Sequence, residues 1–116
     1  MADALFGVHG DALALRSRRL ELIASNIANA ATPHFKARDL DFDAALAAMA
    51  DDGASLDTAA RAASGWRTPL NPSLDGNSVE LPIEQTLFAE NAVAYRTSLA
   101  FLEGRVATVT RALKGE

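Results

Sequence analysis

Residues 81–113 read LPIEQTLFAENAVAYRTSLAFLEGRVATVTRAL, and the spacing of their apolar side chains decides the fold. Leu81, Phe88, Tyr95, Leu102 and Val109 recur every seventh residue, and Ala92, Leu99, Val106 and Leu113 stand four further on. That is one apolar stripe along a single long helix. The preceding SLDGN reads as a turn around Asp75, Gly76 and Asn77, with Gly76 free to take a left-handed backbone. Asn77 and Ser78 can cap the helix, and Pro82 suits its first turn. At 1.5 Å per residue, such a helix spans on the order of 45 Å. That is more than one small domain needs, and Gly104 inside it marks a close backbone approach or a slight bend.

The other end of the chain repeats the period. Phe6, Leu13, Leu20 and Ile27 stand in register, with Ile23, Ala24, Ala30 and Ala31 widening the stripe. Thr32 precedes Pro33 and is biased away from helix, so this first helix is expected to end near Ala30 or Ala31. Two heptad-spaced stripes invite pairing. The expected fold is therefore mainly α. Long N- and C-terminal helices (residues 1–33 and 78–116) pair as a coiled coil or helical bundle, and residues 34–77 form a small middle with a short strand, all within one domain.

The middle has a different character. In KARDLDFD, Leu40 and Phe42 alternate with Asp39, Asp41 and Asp43, which suits a half-buried strand. The alanine- and aspartate-rich run that follows can hold a short helix but offers little bulk for a core. Trp66, Leu70 and Leu74 lie among Gly65, Pro69 and Pro72 and read as irregular chain. This segment is expected to stay mobile until something packs on it.

Composition narrows the function. The chain has 116 residues, a net charge of −4, no cysteine and only 6% aromatic residues. An acidic balance argues against nucleic acid as the main partner, and the absence of cysteine removes disulfides and thiolate chemistry. The N-terminus lacks the charged start and apolar run of a secretory signal, and no stretch approaches a membrane span, so the protein reads as soluble when made and not inserted in a membrane.

The Asp39, Asp41 and Asp43 spacing opens like a calcium loop, but Ala44 replaces the required glycine and Ala50 the closing glutamate. His9 and His34 follow no ligand spacing. No phosphate loop or nucleophile elbow occurs, so neither cofactor nor enzymatic activity is expected. Arg16, Arg18 and Arg19 cluster on the polar face of the first helix, either as a solvated face or against an acidic neighbour. Asn26 and Asn29 are harder to place, because asparagine is a mediocre helix former. Either they end the helix and face solvent, or they fix the register of packed helices as a buried amide does in coiled coils.

LIASNIANAATPHFKARDLDF (residues 22–42) resembles the N-terminal motif of bacterial flagellar rod and hook proteins, an Asn-rich helix end followed by Thr, a turn, an aromatic residue and Lys, here Pro33, Phe35 and Lys36 among them. PSLDGNSVEL and the helix after it are similar to the C-terminal segment of that family's short proximal-rod members. His34 stands where the family often has glycine, and Pro82 where many members have a charged helix former.

The resemblance implies a structural subunit of the proximal rod of the flagellar basal body, crossing the periplasm and transmitting torque. It implies export by the flagellar type III apparatus without signal cleavage, and FliE, FlgC, FlgF and further copies of the chain as partners. It places the assembly interface on Leu13, Leu20, Ile23, Asn26, Ile27 and Asn29 of the first helix and on the stripe from Leu81 to Leu113. Asn26 and Asn29 would then set register between subunits, so that leucine at both would spare the isolated fold and impair assembly. FlgC itself, a closed coiled-coil adaptor and a helix-turn-helix DNA binder are the alternatives, the last disfavoured by the acidic balance.

Overall fold

The computed structural model describes residues 2–115, with side chains from Val8 onward; the side chain of Phe6 lies outside the described residues. Helix α1 (Ala2–Ala28) and helix α4 (Leu81–Lys114) lie along one another, and the molecule is 64 Å long and only 27 × 18 Å across. Between them in sequence come strand β1 (Arg38–Leu40), helix α2 (Phe42–Asp52), helix α3 (Leu56–Ala63) and strand β2 (Ser64–Trp66). The two long helices and their pairing are as the heptads predict.

The middle contains the short strand expected around Leu40 and is otherwise more regular than expected. It holds two capped helices and an antiparallel two-stranded sheet that pairs Arg38 with Trp66 and Leu40 with Ser64. Asp41 caps α2 by accepting from the Ala44 N–H, and Ser55 caps α3 by accepting from the Thr58 N–H. The three aspartates thus divide between a strand (Asp39), a cap (Asp41) and a first turn (Asp43), where negative charge meets the positive end of the helix.

This segment also carries the chain's own core. Leu15 of α1 and Leu40 of β1 are buried with Ala45, Ala59 and Ala60, and Leu22, Phe42, Leu46, Met49 and Leu56 close around them. The expectation that alanine offers little to anchor a core is wrong here, because small side chains let α2 and α3 come close to α1 and leave the few large ones to fill the space between.

The ends of the long helices differ from expectation as well. α1 stops at Ala28, and the chain tightens: Ala30 N–H bonds to the Ile27 carbonyl and Thr32 N–H to that of Asn29, both three residues back. Near its start, α1 is broken at Gly7, whose φ of 56° and ψ of −139° leave the helical region. α4 begins without a side-chain cap; Glu80 holds the capping position and Pro82 lies in the first turn. Asn77, expected to cap α4, braces the turn after α1 instead. Its Nδ2 lies 2.9, 3.0 and 2.8 Å from the carbonyls of Asn29, Ala30 and Thr32. These carbonyls lie in the turn that follows α1, which the Asn77 amide ties to the start of the α4 segment. Among the described residues, no helix is long and apolar enough to cross a membrane.

Candidate assembly site

The two sequence motifs meet in space. Pro33 ends the α1 segment, and the chain turns at His34, whose φ of +65° explains why glycine suits that position. The His34 N–H then donates to the Asp75 carbonyl (2.9 Å), Ser78 N–H to the Phe35 carbonyl (2.9 Å), and Lys36 Nζ to the Gly76 carbonyl (2.6 Å). Ser78 Oγ accepts from the Ala37 N–H at 2.7 Å. Asp75 closes its own turn by accepting from the Asn77 N–H and the Ser73 hydroxyl, and these bonds hold its exposed carboxyl below the ordinary value. Gly76 has φ +75° and lies against the His34 ring; a Cβ there would come within 2.7 Å of His34 Nδ1.

Beneath this junction sits Asn26, only 1% exposed. Its Oδ1 accepts from the Arg38 N–H (3.1 Å), and its Nδ2 donates to the Arg38 carbonyl (2.7 Å) and to Glu84 Oε2 (3.1 Å). The side-chain amide therefore takes the place of a neighbouring strand along the outer edge of β1. Glu84, fully buried on α4, also pairs with Arg67, which donates to Asp39 at 2.8 Å. Arg19 completes the cluster with a two-pronged bond to the same carboxylate, 2.8 and 2.9 Å. Burial pushes the Asp39 carboxyl up, but bonds from Arg19, Arg67 and the Leu40 N–H outweigh it and hold the group below its ordinary value; the bond to Asp39 likewise raises Arg19. Removing one partner of a buried pair costs about 3–5 kcal/mol, because the other is left uncompensated.

This polar junction was not expected, and it occupies the asparagine side chains with bonds inside the subunit. Asn26 makes its bonds within the subunit, and Asn29 serves the helix end, donating to the Ser25 carbonyl (2.8 Å) and accepting from Thr32 Oγ1 (3.1 Å). Arg18 and Arg19 have acidic neighbours, Asp57 and Asp39, whereas Arg16 lies over the Phe42 ring at 4.0 Å. One signal for the junction was legible. Asn77, Glu84 and Asn91 follow the same seven-residue period as the stripe, and Asn91 Oδ1 sits 3.5 Å from both Arg16 and Arg19.

The remaining stripe residues fall into two groups. Ile23 and Leu102 are buried in the chain, while Leu13, Leu20, Ile27, Ala92, Tyr95 and Val109 are half-buried along the hairpin. Leu81, Phe88, Leu99, Val106 and Leu113 are exposed, the last by 83%, and Phe101 off the stripe by 60%. Phe101 stacks on His9 with ring centres 5.1 Å apart. Beyond that contact α4 runs on with apolar residues open to solvent. No group of three or more metal-ligating side chains occurs among the described residues.

The fold is an elongated helical hairpin with a closed polar interior and exposed apolar side chains along α4, the architecture of a structural helical protein. The flagella basal body rod protein family is matched over residues 6–36. Across nearly its full length the chain is 52% identical to flagellar basal body rod protein FlgB of Cereibacter sphaeroides, covering 95% of this chain and 94% of that one. It is 40% identical to FlgB of Aeromonas hydrophila (98% and 96% covered) and 37% identical to that of Escherichia coli K12 (90% and 88%). The chain belongs to the FlgB family of flagellar basal body rod proteins.

Proposed function

We propose that this chain is a subunit of the proximal rod, and that the free half of its α4 stripe packs against the terminal helices of neighbouring subunits. The uncovered apolar end of α4 is the observation that carries this reading. Leu113 is 83% and Val106 42% exposed, and burying the leucine would contribute about 1.5–3 kcal/mol. A contact between unlike surfaces that does not close on itself propagates as a helical array, the form a rod requires. Continuous helices packed side by side would carry torque from motor to hook and filament. FliE, FlgC and FlgF are the proposed neighbours besides further copies of the chain, and the flagellar type III apparatus the proposed route into the periplasm, with no cleaved signal.

The test is Val106→Lys with Leu113→Lys, charges that suit the C-terminal half of a helix. Both sites are exposed, so the isolated chain should keep its stability within about 0.5 kcal/mol, while cells carrying the variant should build no complete basal body and fail to swim. Wild-type swimming would refute the reading.

A further inference from the structure

One face of the middle segment is basic although the chain as a whole is acidic. Arg18, Arg38 and Arg61 line a cleft floored by Leu22, Leu40 and Ala60, where they outnumber the carboxylates of Glu21 and Asp57 in the same lining, and the face continues past Arg38 to Lys36 and Trp66. Arg18 is paired with Asp57, but Lys36, Arg38 and Arg61 have no carboxylate partner among the described residues, and all three are exposed. Arg38 is held over the Trp66 ring at 5.0 Å, which fixes its position while leaving its charge uncompensated. Trp66 itself is 70% exposed.

At the other end of the same middle segment the charges are reversed. α2 finishes on Asp51 and Asp52, both exposed, with no basic residue in its last turn and no ion-pair partner among the described residues. A helix C-terminus is negative, so two carboxylates there oppose the helix that bears them. α3 and α4 end in the opposite way, with Arg61 and with Arg111 and Lys114. The pair at the end of α2 therefore does nothing for its own helix. Beside it, Ala50 and Gly53 line a cleft with Gly10 and Asp11 of α1, whereas the basic cleft meets α1 at Arg18 and Leu22. The twelve residues from Gly10 to Leu22 place the two patches about 18 Å apart along the helix axis.

We propose that the basic face around Arg38 and Arg61 docks on the Asp51–Asp52 end of α2 in a second copy of this chain. The proposal rests on the rod-subunit reading and names a lateral contact separate from the α4 stripe. Unlike patches displaced along the long axis can be satisfied pairwise in an antiparallel dimer or by joining one copy to the next in an open series, and the rod-subunit reading selects the series. Opposite charge fixes the orientation of that contact and makes it sensitive to salt, with screening beyond about 10 Å at 0.1 M.

The chain has no cysteine, so single cysteines report contacts cleanly. Full-length chains carrying Ala62→Cys, beside Arg61, would be mixed with chains carrying Ala50→Cys, beside Asp51, and treated with a short bismaleimide. A cross-linked pair is expected, and its yield should fall about tenfold when the first chain also carries Arg38→Glu and Arg61→Glu. Adding Asp51→Lys and Asp52→Lys to the second chain should restore it. A yield indifferent to charge reversal and to 1 M salt would overturn the proposal. So would absence of the 50–62 link while chains carrying Thr110→Cys on α4 still link to each other, a result that leaves the helical assembly standing. Absence of both links would count against the rod-subunit reading as well.

Discussion

Replacing Asn26 with leucine separates a register device between subunits from a strut within one. Leucine nearly matches asparagine in size but cannot bond, so it strips partners from the Arg38 N–H and carbonyl and one from Glu84. Each backbone group left bare costs about 1–3 kcal/mol, and a bond to a charged group is worth about 1.5–3. Because the β1 edge is only partly buried, the lower half of that range applies, roughly 3.5–6 kcal/mol in sum. The new apolar side chain returns about 1.5–3, which leaves a net loss of about 1–4 kcal/mol.

Against a typical stability of about 5–15 kcal/mol this is a large fraction. It should appear as a urea midpoint shift at unchanged slope, and as a fall in Tm on the order of 10 °C. Asn29→Leu is the matched comparison. Its amide bonds only to Ser25 and Thr32 at an exposed helix end, so its loss should stay under about 1 kcal/mol. If Asn26→Leu leaves the isolated chain as stable as Asn29→Leu does, yet blocks rod assembly, the intramolecular account is wrong and the amide faces a neighbouring subunit.

Asp39→Asn should remove part of the acid limb of the stability curve. The folded carboxyl lies below its unfolded value, so its contribution is complete above about pH 4 and is lost as pH falls through the lower folded value; acid unfolding followed by circular dichroism should show a flatter limb in the variant. His34→Gly should be neutral or raise stability by up to about 1 kcal/mol in urea melts, since glycine adopts the positive φ without cost from a Cβ. Gly76→Ala should cost about 1–3 kcal/mol, because a positive φ is combined with contact on the His34 ring. Asn77→Ala should speed amide exchange at Ala30 and Thr32, whose turn loses its tie to the α4 segment.

What could be read from the chain followed physical range. The long helices rest on a period of seven repeated along each, and local chemistry marks the turn at Asp75–Asn77. Both survive in the structure. Asn77 shows where local reading stops: the residue type signals a cap, but the carbonyls it meets belong to the turn after α1, some 45 residues earlier. The middle was illegible for another reason. Low-complexity alanine looks like missing bulk, yet Ala45, Ala59 and Ala60 are buried because close approach of helices, not side-chain volume, makes that core. The buried ion cluster draws Arg19, Asp39, Arg67 and Glu84 from four separate segments, and no spacing along the sequence relates them.

The junction also answers a problem the stripes create. Apolar heptads match almost equally well after a slip of seven residues, so stripes alone do not fix how far α4 has slid along α1. Such a slip would bring Asn77 or Asn91 to the place of Glu84, since these stand seven residues before and after it. Arg67 would then face a neutral amide and lose its buried carboxylate on α4, at a cost of about 3–5 kcal/mol. Asn26 and Glu84 thus set a register, but between the two helices of one subunit. That register determines which residues of α4 are covered by α1 and which, Phe101, Val106 and Leu113 among them, are left exposed at a defined height and phase. Glu84→Gln provides the check: the amide keeps a partner for Asn26 but removes the charge that distinguishes position 84 from 77 and 91. A mixed population of registers should follow, visible as doubled amide resonances along α4, whereas a single sharp set would show that packing alone holds the helices in place.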